Sequence, residues 1–143
     1  MKTLALVMIL ATLATGVAGA DHSAELVVIV NPESGVVRLT REEVIDIFLG
    51  RYRKFPSGRA ALPIDVESSK ERTNFYQLLV KKSPAEISSY WARLVFSGQK
   101  SPPFQVADVK TAVELVQGNP NAIAYVDRAS VNAHVKVVLE IQP

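Results

Sequence analysis

The sequence predicts an α/β domain, a three-layer sandwich in which helices cover both faces of a mostly parallel, mixed sheet. Three observations carry this. Short β-rich runs at residues 25–30, 62–66, 122–126 and 134–141 alternate with stretches of helical periodicity. Two helical stretches open on complete capping-box patterns, Thr40 with Glu43 and Ser83 with Glu86. The first run, Leu26-Val27-Val28-Ile29-Val30, has no polar position, which suits a strand buried on both faces rather than one with a wet side. Strand–helix alternation of this kind builds a sheet whose crossover helices lie on its faces.

Each element has a local cause. The first strand stops at Asn31-Pro32, with Gly35 soon after. Thr40 then starts a helix whose Val44, Ile45 and Phe48 fall on one face, and Gly50 stops it. Residues 51–60 read as a loop and 62–66 as a second strand. Residues 70–81 read as a helix, with Phe75, Leu78 and Leu79 at helical spacing. Ser83-Pro84-Ala85-Glu86 is the clearest start signal, joining a serine cap to proline at the first helical position. Its apolar stripe runs through Ile87, Tyr90, Trp91, Leu94 and Val95 to Gly98. Residues 100–104 read as a proline-broken connection, and 107–117 as a fourth helix with Val109, Ala112, Val113 and Val116 on one face. Gly118-Asn119-Pro120 ends it before the last two strands.

The N-terminus predicts export. Lys2 supplies a positive charge, residues 4–13 an apolar run, and Ala18-Gly19-Ala20 a small-x-small cleavage site before Asp21. The apolar run is shorter than the roughly 20 residues that span a bilayer, and no later segment is long enough. The expectation is therefore a signal peptide at 1–20, a single domain at 21–143, and a periplasmic product. The chain has no cysteine, so neither disulfides nor a lipid-bearing cysteine at the cleavage point is available. The whole chain carries 16 basic and 14 acidic residues, and losing Lys2 brings the two still closer. Such a balance gives no global field that would draw nucleic acid.

At three places, in order, the chain resembles periplasmic phosphate-binding proteins of ABC transporters. Leu39-Thr40-Arg41-Glu42-Glu43-Val44-Ile45-Asp46-Ile47-Phe48-Leu49-Gly50-Arg51 is similar to that family's "Leu-Thr … Ile-Phe-x-Gly-Lys" segment. Pro63-Ile64-Asp65-Val66 resembles the strand that follows. Asn119-Pro120-Asn121-Ala122-Ile123-Ala124-Tyr125-Val126 resembles its "Asn-Pro-x-Ala-Ile-Gly-Tyr-Val" strand. The resemblance implies one lobe of a periplasmic-binding-protein-like fold, and a solute-binding role toward phosphate or another small anion. A full member has two lobes that close on the anion in a chain about twice this long. A second copy in a homodimer, or a transporter or envelope protein, would have to supply the other wall here.

The family's anion loop reads approximately Arg-Ser-x-Gly-Ser-Gly-Thr, where glycines let backbone amides approach the ligand and a helix N-terminus adds its dipole. The matching stretch here is Glu67-Ser68-Ser69-Lys70-Glu71-Arg72-Thr73. Only Ser68 and Thr73 keep their types, and Glu67 and Glu71 add negative charge. Ser68, Ser69, Arg72 and Thr73 are the candidate ligand contacts. The same residues also read as a plain helix cap with an acid in the first turn.

A second candidate is the loop Arg51-Tyr52-Arg53-Lys54-Phe55-Pro56-Ser57-Gly58-Arg59, whose four cations and two aromatics suit phosphate groups or an acidic partner. Arg51, Arg53, Lys54 and Arg59 are its candidate partner contacts. The competing reading is a solvated loop with Tyr52 and Phe55 packed inward.

Nothing assembles an enzyme. His22 and His134 lack a metal-spaced companion, Ser34-Gly35 and Ser97-Gly98 lack a nucleophile-elbow frame, and no Gly-rich nucleotide loop is present. No catalytic residue, metal or cofactor is expected. Two functions remain: binding of a small anion linked to transport, or an envelope protein-interaction module that keeps the lobe without the ligand.

Overall fold

A computed structural model describes residues 25–67 and 69–143. The expected signal at 1–20 and the candidate contact Ser68 lie outside the described residues.

The chain runs β1 (Leu26–Val30), α1 (Arg41–Phe48), β2 (Leu62–Val66), α2 (Lys70–Val80), α3 (Pro84–Phe96), β3 (Phe104–Val106), α4 (Val109–Gly118), β4 (Ala122–Asp127) and β5 (Lys136–Ile141). Single 3-10 turns follow β1 and β4, at Pro32–Ser34 and Arg128–Ser130. The five strands form one sheet in the order β3-β2-β4-β1-β5. β2 pairs parallel with β3 and with β4, whereas β1 pairs antiparallel with both β4 and β5. Four strands thus point one way and β1 alone points against them, giving the mostly parallel mixed sheet the sequence predicts.

β1 and residues 122–126 of β4 are buried at every position, so the centre of the sheet is covered on both sides. Period-2 alternation puts Ile123 and Tyr125 on one face of β4, and the smaller Ala122, Ala124 and Val126 on the other. The Tyr125 ring stacks on Phe75 of α2 at 4.0 Å, and Phe48 of α1 closes the cluster at 4.8 Å from Phe75. α4 buries Ala112, Val113 and Val116. The side-chain amide of Asn31, itself buried, donates to the carbonyls of Val116 and Gln117 at 2.9 Å each, tying the end of β1 to the last turn of α4.

Both capping boxes form. Thr40 and Ser83 each accept from the backbone three residues on, and Glu43 and Glu86 reach back to the cap N–H. Gly50 adopts a left-handed φ of 72°, and a Cβ there would stand 2.8 Å from the Trp91 indole. This is a position where both the turn and the packing require glycine.

One element differs from the sequence reading. Phe104–Val106, which the sequence leaves between a connection ending at 104 and a helix starting at 107, is a strand on the sheet edge, with Ile64 opposite Phe104. Pro102 and Pro103 hold the approach extended, and proline is tolerated where a strand begins. Three residues are too few to show an alternation, so the strand leaves no periodic trace. α4 starts correspondingly later, at Val109, where Asp108 accepts from the Thr111 N–H at 2.8 Å.

Candidate functional site

The junction of β2 and α2 carries the first candidate, and its centre is a residue the sequence reading passed over. Asp65 is 1 % exposed, on a strand whose other inner positions are apolar. The Tyr125 hydroxyl donates to Asp65 Oδ1 and accepts from the Val66 N–H at 3.1 Å. Arg72 Nε donates to Asp65 Oδ2 at 3.0 Å, and its guanidinium carbon lies 5.5 Å from the centroid of the Tyr76 ring. Each oxygen of the carboxylate therefore has a donor, which offsets the cost of placing it this deep.

Burial works against the Arg72 charge, but the hydrogen bond and negative charge of Asp65 outweigh it and raise the Arg72 pKa. Burial pushes the Tyr76 hydroxyl well above its ordinary pKa, and the nearby Asp65 carboxylate adds to the shift. The same two causes raise Tyr125. Both phenols are held protonated.

The structure brings Ser69, Arg72 and Thr73 into one turn, and gives each a partner within the chain. Ser69 is the N-cap of α2: its hydroxyl accepts from the Arg72 N–H at 3.0 Å and donates to the Val66 carbonyl at 3.1 Å. The Thr73 hydroxyl donates to the Ser69 carbonyl at 3.3 Å. Arg72 faces Asp65, so its charge is balanced from behind. Of the two acids expected to flank the turn, Glu67 is exposed and Glu71 half-buried. A lone aspartate inside an apolar strand is the signal that could have found Asp65; nothing in the sequence pairs it with Tyr125 or with Arg72, which reads there as a ligand contact.

The cations of the second candidate, the 51–59 loop, do different things. Arg51 is exposed and 3.6 Å from Asp46. Arg53 turns inward, its guanidinium carbon 5.5 Å from the Trp91 ring centroid and its Nη2 donating to the Ser101 carbonyl at 2.5 Å. Desolvation lowers its pKa. Arg59 Nη1 reaches Asn121 Oδ1 at 3.4 Å, while the Lys54 side chain is exposed and only its backbone pairs, antiparallel, with Ala60. Phe55 is fully buried, but Tyr52 is 58 % exposed and does not pack inward. Among the described residues, no three acidic or histidine side chains are grouped to hold a metal ion.

No family model and no curated protein matches this chain. Solved structures do. An ABC-type phosphate transport receptor from Vibrio cholerae is similar, with a TM-score of 0.65 and 24 % identity. The match covers 80 % of this chain and 45 % of the receptor. PstS from Borrelia burgdorferi is similar at a TM-score of 0.60 and 17 % identity, over 80 % of this chain and 46 % of that one. The fold is thus that of phosphate transport receptors, and the chain spans a little under half their length. The Vibrio cholerae protein is described as a transport receptor.

Proposed function

We propose that this chain is an exported domain of solute-binding fold that acts in the cell envelope by recognising a protein partner rather than by holding free phosphate. One observation carries the reading: Ser69, Arg72 and Thr73 already hydrogen-bond within the chain, and Asp65 balances the Arg72 charge. A phosphate arriving there would displace these bonds and meet Glu67 and Glu71 nearby, like charges that oppose its binding. Isothermal titration of the mature chain with phosphate, sulfate and small carboxylates should give no heat and no rise in melting temperature. Saturable heat with phosphate, lost in Arg72→Gln, would instead establish the second reading. That reading is a transport-associated anion-binding lobe, and its support is the likeness of fold to phosphate transport receptors.

The partner face includes the exposed cations Arg51, Lys54 and Arg59. Arg53 is left out of the test because its loss would disturb the packing on Trp91. Charge reversal at the other three should reduce cross-linking to the envelope partner in cells.

A further inference from the structure

A groove of about 450 Å³ opens where the end of α1 meets α2 and α3, and it is not lined by Ser69, Arg72 or Thr73. Its apolar lining includes Leu49, Val80 and Ile87; Leu49 and Ile87 belong to the core. The Tyr90 hydroxyl donates to the Leu49 carbonyl at 2.7 Å, so α3 is pinned to the end of α1 and the wall is fixed in place. Three cations, Arg51, Lys82 and Arg93, line the same groove against one acid, Glu86. That carboxylate is committed to capping α3, accepting from the Ser83 N–H at 2.7 Å. Asp46 faces Arg51 from 3.6 Å, a pair exposed on both sides and of a kind worth little in water. Arg93 makes no ion pair among the described residues.

An apolar lining with cationic surroundings is complementary to an apolar group flanked by carboxylates. The size suits one or two inserted side chains, and the concavity between helices does not match a flat membrane. We propose that this groove docks a short acidic segment of a partner protein. Its apolar side chain would lie against Leu49 and Ile87, and its carboxylates would reach Arg51, Lys82 and Arg93. The inference rests on the partner-recognition reading above and names the chemistry of the partner.

Fluorescence anisotropy on the full mature chain tests it. The probes are acetyl-Asp-Glu-Leu-Phe-Glu-Asp-amide, its counterpart with lysine at every acid, and phosphatidylglycerol vesicles. The acidic peptide should bind saturably and the lysine peptide should not. Arg93→Glu with Lys82→Glu should weaken binding tenfold or more. Ala85→Trp, which fills the groove without changing charge, should do the same, with melting curves confirming that each variant folds. Equal binding of both peptides, no binding of either, or binding indifferent to Ala85→Trp overturns the inference. So does a preference for vesicles that Ala85→Trp leaves unchanged. Partner cross-linking that survives Ala85→Trp but fails on loop charge reversal removes the groove and leaves partner recognition standing.

Discussion

Tyr125 and Tyr76 share the surroundings of Asp65 but stand in different relations to it. The Tyr125 hydroxyl bridges the Asp65 carboxylate and the Val66 N–H, so Tyr125→Phe leaves a buried donor and a buried acceptor short of a partner. The expected cost is about 1–3 kcal/mol. The Tyr76 hydroxyl is buried without a hydrogen-bond partner among the described residues, so Tyr76→Phe should be neutral or slightly stabilising. Urea denaturation of the two variants side by side separates the roles. Removing Asp65 itself is the larger change: Asp65→Ala abandons a mostly buried Arg72 guanidinium, for which about 3–5 kcal/mol is expected.

The same two phenols set an alkaline limit. Their folded-state pKa values lie above the ordinary value of 10.0, so near and above that pH the unfolded chain releases protons that the folded chain retains. Stability is therefore full below about pH 10 and falls as the pH rises beyond it. Denaturant midpoints measured from pH 8 to 11.5, with tyrosinate absorbance followed in parallel, check this. The buried phenols should ionise only as the chain unfolds.

At the scale of elements, local chemistry and packing divide the work. Ser83→Ala removes one bond of a capping box at the start of α3 and should cost about 1 kcal/mol. Gly50→Ala combines a left-handed backbone with a Cβ 2.8 Å from Trp91, and overpacking of this kind costs about 1–3 kcal/mol. Thermal melts of both variants would rank them. The two capping boxes were legible in sequence because each lies within four residues. β3 was not, because a three-residue edge strand is defined by the ladder it makes with β2, and that ladder forms across forty residues of chain. Arg53 shows the same limit. In sequence it is one of four cations in a loop, and only folding lays it over Trp91 and against Ser101.

For the whole molecule, the expected signal can be tested directly: mass spectrometry of protein recovered from the periplasm should show a mature N-terminus at Asp21. A periplasmic product that keeps residues 1–20 would refute cleavage after Ala20, and absence of the chain from the periplasm would refute export. The sequence by itself determined the alternation of strands and helices and their caps, since apolar periodicity and capping act over a few residues, while the resemblance to phosphate-binding proteins rests on the segments 39–51, 63–66 and 119–126. Only the tertiary structure decided how the candidate site is used. Asp65 meets Tyr125 because β2 pairs with β4, and Arg72 meets Asp65 because α2 folds back over β2. Burial then makes it costly to leave that carboxylate unanswered, and the cation read in sequence as a ligand contact is the group that answers it.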